Sequence, residues 1–253
     1  MRKTFILSLL LLLGGLQAVQ AQKIVLKFVN GEIVKYNISE LESIWFEDTV
    51  TIIDDTHEYV DLGLPSGTLW ATCNVCATVP EEYGDYFAWG ETKPKSEFTW
   101  ENYKYSGGTN HLLTKYCNND FFGYNGFTDD LTELLPEDDA ATVNWGENWQ
   151  TPTVEQVKEL VNNVNTSTKW TTVNGVIGRL VTSKKNNKSI FFPAAGCYTE
   201  TLEDVGFGCG FWSRTLAEYP DEANAGYLLI EDVGWADDID RNWGINVRPV
   251  RKQ

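Results

Sequence analysis

From about His57 onward the chain runs in short apolar stretches cut by Gly, Pro, Asn and Asp, and only one stretch has the spacing of a good helix. That texture constrains the fold more than any other feature. Thr153 is placed to cap the helix, with Gln156 three residues on and Pro152 just before. Val154, Val157, Leu160, Val161 and Val164 then share one face. A second, shorter helix is predicted in "DDLTELL", residues 129–135. The runs "GRLVTS", "KSIFFPAA", "GFGCGFWSRT", "AGYLLIED" and "INVRPVR" follow, each flanked by turn residues, and read as strands. One or two helices against many short irregular strands define an α+β fold with long loops.

Ahead of this region, "KIVLKFV" alternates apolar and polar residues, Asn30-Gly31 is the pair favoured in a two-residue turn, and "EIVKYN" follows. A β-hairpin is expected. Ser39-x-x-Glu42 fits a capping box for a short helical turn, and "SIWFED" and "TVTII" return to strand pattern. So small a module needs a neighbour to pack on. The first residues, "MRKTFILSLLLLLGGLQAVQAQ", have a basic start, an apolar run and small residues at Ala18 and Ala21, the layout of a secretory signal peptide. Cleavage is expected after Ala21 or, failing that, Ala18. The apolar run is far short of the roughly 20 residues a membrane span needs. The organisation expected is therefore a signal peptide over 1–21, a β module over 22–56 and a main domain over 57–253, in a protein secreted or held at the cell surface.

The formal charge of −16 becomes −18 once Arg2 and Lys3 leave with the signal. Such a chain repels phosphate, so nucleic acid and anionic membrane surfaces are disfavoured partners. Five cysteines, Cys73, Cys76, Cys117, Cys197 and Cys209, remain in an exported chain, and at least one disulfide is expected. The candidate pairs are Cys197 with Cys209, and Cys73 or Cys76 with Cys117. Cys73-x-x-Cys76 has no second CxxC and no histidine pair to complete a zinc site.

Read together, "EYVDLGLPSGTLWATCNV", "EEYGDYFAWGETKPK", "LPEDDAATVNWGENWQTPTVEQVKEL", "SIFFPAAG", "GFWSRT" and "WGINVRPVR" occur in an order that closely resembles the major paralogous domain family named for Fibrobacter succinogenes, found in secreted proteins of gut-type bacteria. The resemblance covers about residues 57–251. It implies a C-type lectin-like fold, shared with the formylglycine-generating enzyme and with the variable binding proteins of diversity-generating retroelements. It also implies that the N- and C-terminal strands lie together, that a helix follows "TPT", and that long loops form one face. The N-terminal stretch resembles a small hairpin module common at the start of such exported proteins.

Catalysis finds little support. The chain has two histidines, His57 and His111, and no HExxH, GxSxG or phosphate-cradling loop. Cys197 and Cys209 do not match the cysteine motif of the formylglycine-generating enzyme. Asp238-x-Asp240-x-Asn242 opens like an EF-hand loop, but Trp243 replaces its glycine and Pro249 its bidentate glutamate. No cofactor is assigned. A looser calcium site, here or at Glu137, Asp138 and Asp139, is retained as an alternative to solvated charge.

Trp70, Trp89, Trp145 and Trp149 sit beside Gly and apolar residues and are expected in the core. Trp235 and Trp243 instead flank "ADDIDRN", between the strand-like "GYLLI" and "INVRPV", where Ile245 and Val247 alternate with Asn246 and Arg248. A segment displayed between core strands is where binding residues tend to lie. In the retroelement-diversified relatives, the resemblance implies that this stretch and the residues after a "WS"-like motif bind ligand. The expected ligand-binding residues are Arg214, Tyr219, Trp235, Asp237, Asp238, Asp240, Arg241, Asn242 and Trp243, with Leu216 and Glu218 beside them. The function expected is a non-enzymatic binding module for a glycan or a protein. Alternatives are an enzyme of the formylglycine-generating type and a structural or adhesive surface protein without a defined pocket.

Overall fold

The computed structural model describes residues 23–27, 33–37, 57–229 and 235–251, and for 23–27, 34–37, 223–229 and 235 the backbone only. The signal segment, Ser39-x-x-Glu42, "SIWFED" and "TVTII" lie outside the described residues. The chain divides into two units, Met1–Val50 and Thr51–Gln253. In the first, β1 (Lys23–Lys27) and β2 (Ile33–Asn37) pair antiparallel. Their register sets Lys27 opposite Ile33. A two-residue turn at Asn30-Gly31 would set Lys27 opposite Val34, so the pairing is one residue out of step with that expectation; the turn itself lies outside the described residues.

Among its described residues the second unit is mostly β-sheet with two α-helices. Its first sheet joins β3 (Tyr59–Asp61), β4 (Leu69–Ala71), β14 (Val250–Arg251) and β5 (Trp149–Gln150) in that order. Val250 faces Trp70 on one side and Gln150 on the other, so the last strand lies between an early strand and a mid-chain one. A second sheet runs β6 (Thr166–Val173), β7 (Val176–Ser183) and β8 (Ser189–Pro193). The β6–β7 turn is Asn174-Gly175, both at positive φ (46° and 88°), as a tight hairpin turn needs. β9 (Cys197–Tyr198) and β10 (Leu202–Glu203) make a small hairpin, and β11 (Gly208–Leu216), β12 (Glu222–Leu229) and β13 (Trp235–Asp240) a third antiparallel sheet.

Helix α1 spans Ala140–Trp145 and α2 spans Val154–Val161. The capping box of α2 forms as expected: the Gln156 side chain accepts from Thr153 N at 2.8 Å while Thr153 Oγ1 accepts from Gln156 N at 3.3 Å. Val154, Val157 and Leu160 are buried, and α2 packs against β11, β12 and β13. Val164 lies beyond the helix and is exposed.

The helix predicted at "DDLTELL" does not form. The Asp129 carboxylate accepts from Tyr116 N, Cys117 N and Leu131 N, which pins a loop. The backbone of Thr132 and Leu134 pairs with Leu216 and Arg214 in β11. The helix begins later because Asp139 is the better cap: its side chain accepts from Ala141 N and Thr142 N and also from Thr151.

Two apolar clusters fill the unit, one around Trp89, Trp149, Trp212 and Phe87, the other around Trp70, Phe192, Phe211, Val157 and Leu160. Trp70, Trp89, Trp145 and Trp149 are all buried. Asn246 and Arg248, expected opposite the apolar face, are buried too. Arg248 donates to Asn74 Oδ1, to the Ala71, Thr72 and Phe191 carbonyls, and stacks 4.4 Å from the Phe192 ring centroid. Burial pulls its pKa down to about 10. A guanidinium so fully bonded survives inside, which a polar/apolar alternation does not reveal.

Candidate functional site

An open cleft of about 490 Å³ lies where three segments meet. The first wall is Phe98 to Glu101. A 3-10 turn at Trp100–Asn102 starts from Thr99, and the Asn102 side chain accepts from Thr99 N while donating to the Glu97 carbonyl. This holds Trp100 half-buried, edge-on to Tyr103 with centroids 5.5 Å apart. Phe98 is buried and stacks on Tyr198 at 5.3 Å.

The second wall is the β9–β10 hairpin, which contributes Thr199, Glu200, Thr201 and Glu203. Gly196 lets this hairpin close: its φ is +68°, and a Cβ there would lie 1.9 Å from the Glu203 carbonyl oxygen. The third wall is Asp240, Asn242 and Trp243. Burial, then the charge of Asp221, raises the pKa of Asp240, while hydrogen bonding from Trp243 opposes the rise. Gly244 follows, so close to Phe98 that a Cβ would stand 2.5 Å from the ring.

The expected site residues divide. Asp240, Asn242 and Trp243 are brought together at the cleft. Trp235 to Asp240 is a strand rather than a displayed loop, hydrogen-bonded to β12 with Asn224 opposite Asp238. Within it Asp237 and Asp238 are exposed, and the Trp235 side chain lies outside the described residues. Burial, then the neighbouring Asp237 charge, raises the Asp238 pKa, against the opposing charge of Lys158. Tyr219 and Glu218 are exposed on the connection between β11 and β12, and Leu216 is buried.

Arg214 is turned inward: it donates to Gln150 Oε1 at 2.7 Å and the Leu134 carbonyl at 2.5 Å, and lies 3.3 Å from Glu133. Arg241 is fully buried. Its guanidinium donates to the Tyr103 hydroxyl and to the carbonyls of Tyr116, Pro220 and Lys115, leaving no face for a ligand. Both arginines therefore belong to the scaffold. Nothing in the sequence placed the Phe98–Glu101 and Thr199–Glu203 walls beside Trp243; the tryptophan among polar residues in "FTWEN" was the one available signal.

The calcium alternatives fare as follows. Asp138 is already neutralised, with Lys104 at 3.0 Å, Lys115 at 2.5 Å and the Tyr116 hydroxyl at 2.7 Å. Asp139 is spent on capping α1. Among the described residues no group of three His, Cys, Asp or Glu side chains is arranged to hold a metal ion. The expected disulfides are absent: all five cysteines are free thiols. Cys209 is buried and donates to the Phe192 carbonyl, and burial raises its pKa to about 12. Burial and the charges of Asp204 and Glu203 raise that of Cys197 to about 11. Among the described residues no helix is long and apolar enough to cross a membrane. Comparison with known proteins finds no matching family model, curated protein or solved structure.

Proposed function

We propose that the protein is a non-enzymatic binding module of the C-type lectin-like class, related to the major paralogous domain family it resembles, exported to act outside the cell or on its surface. Its ligand is a glycan held in the cleft between Trp100 and Trp243. The observation that carries this is the pairing, in one open cleft, of two half-buried indoles with Glu101, Glu200, Glu203, Asp240 and three threonines. Indole faces stack on sugar rings, and carboxylates and hydroxyls accept from and donate to sugar hydroxyls. The pairing of the last strand with an early one and the helix after "TPT" support the fold assignment. Neither Cys197 nor Cys209 lines the cleft, and Cys209 is buried, which weighs against a formylglycine-generating activity there.

A glycan screen followed by calorimetry tests the reading. Trp100→Ala and Trp243→Ala should each weaken the best ligand by roughly 5- to 30-fold, the range for an aromatic anchor, with the fold intact. Unchanged affinity in both folded variants places the site elsewhere and makes a protein ligand the better reading.

A further inference from the structure

Resting on the glycan reading, we propose that the cleft selects sugars bearing free amino groups, binding them as ammonium ions in preference to neutral, N-acetylated or acidic glycans. Among the described residues the lining includes four carboxylates, Glu101, Glu200, Glu203 and Asp240, and no lysine or arginine. The nearby cation, Lys95, is already held by Glu91 and Asn102, each at 3.0 Å or less, and lies 5.4 Å from the Phe98 ring centroid. A ligand carboxylate would meet uncompensated like charge there. An ammonium would meet attraction from several sides.

Acidic residues alone would signify little, but the floor of the cleft carries an independent sign. Asn242 is buried and lines the cleft. Its Nδ2 donates to the Phe98 carbonyl at 3.2 Å, which fixes the amide orientation, and its Oδ1 has no hydrogen-bond partner. A buried acceptor left unmade costs free energy that a ligand donor recovers. Trp243 lines the same cleft beside Asp240 and supplies an indole face. The cleft thus offers acceptors and aromatic faces, and an ammonium is the group that satisfies both, as a threefold donor and a cation over indole. The threonines on two walls supply the hydroxyl chemistry that a bare polyamine would leave unused.

Calorimetry with a glucosamine tetramer, its fully N-acetylated counterpart and spermine decides the matter. The free-amine tetramer should bind about tenfold more tightly than the acetylated one at low salt, the summed effect of several partly exposed charge pairs, and the preference should shrink as salt is raised. Glu101→Gln and Glu203→Gln should each narrow it by about two- to fivefold, weakening the free-amine tetramer more than the acetylated one. Equal or tighter binding of the acetylated tetramer overturns the amine preference while the glycan reading survives. Spermine binding as tightly as the amino sugar also overturns it, because the sugar ring would contribute nothing. If neither tetramer binds, this inference falls, and the glycan reading stands or falls separately with the glycan screen.

Discussion

Arg241 donates through Nε to the Tyr103 hydroxyl at 2.9 Å while its guanidinium carbon lies 5.3 Å from the same ring's centroid. Tyr103 in turn donates to the Trp89 carbonyl at 2.7 Å, and Arg241 also stacks near Trp89 and Tyr116. The charge is answered by carbonyl dipoles and π density, at the point where β13 ends and the cleft begins. This arginine joins the 98–103 wall to the 240–243 wall.

Arg241→Ala should therefore destabilise the protein. Several buried carbonyls and the Tyr103 hydroxyl would lose a charged donor at once, at a cost of at least about 3 kcal/mol. For a domain of this size that lowers the melting temperature by about 6 to 12 °C. Urea denaturation measures it, and a loss below about 1 kcal/mol would show that the network contributes little.

Asp138 gives a pH signature. Burial alone would raise its pKa, but Lys115, the phenols of Tyr105 and Tyr116, and Lys104 outweigh burial and hold it at about 2. A carboxyl depressed in the folded state stabilises above its unfolded pKa, and that contribution disappears as pH falls from about 4 through about 2. It amounts to about 2 kcal/mol. The stability difference between pH 7 and pH 2 should shrink by about that amount in Asp138→Asn. An identical pH profile in the variant would refute the assignment.

Which parts of this were legible beforehand follows from the range of the forces. The α2 cap, the β7, β8 and β11 strands and the buried tryptophans are set by neighbours in sequence, and the residue pattern carried them. β6 was missed although "TSTKWTTV" before Asn174-Gly175 is β-branched and turn-bounded. Local pattern also misjudged "DDLTELL", because Asp129 and β11 satisfy its backbone from a distance. The site was half legible: Asp240, Asn242 and Trp243 lie in a polar stretch flanked by tryptophans, which the family resemblance also marks as ligand-binding. Arg241 has the same signature in sequence, and only its partners at Lys115, Tyr116 and Pro220 reveal that it points inward.

The thiols supply a chemical check. Unfolded in denaturant without reductant, the protein should titrate five free thiols. Folded, it should react slowly at neutral pH, because Cys73, Cys117 and Cys209 are buried, and partial desolvation of the Cys76 sulfur, then Asp85, raise that thiol to about 12 although the residue reaches the surface. Fewer than five in denaturant would reveal a disulfide after all.

The hairpin wall of the cleft depends on Gly196, and that dependence separates scaffold from ligand contact. Any side chain there is strained by the positive φ and, at 1.9 Å, collides with the Glu203 carbonyl oxygen. The backbone cannot retreat freely, because Gly196 N donates to the Gly208 carbonyl at 3.0 Å and Tyr198 exchanges hydrogen bonds with Gly244 at 2.7 and 2.9 Å. Gly196→Ala should thus cost about 1 to 3 kcal/mol of stability and weaken ligand binding together, by shifting Glu200, Thr201 and Glu203 away from Trp243. Trp243→Ala, by contrast, should weaken binding with a much smaller change in melting temperature, since its half-buried ring anchors no comparable backbone contact. Measuring both quantities on both variants is the test. If Gly196→Ala loses stability but binds as the parent does, the β9–β10 hairpin supports the fold without forming a wall of the site.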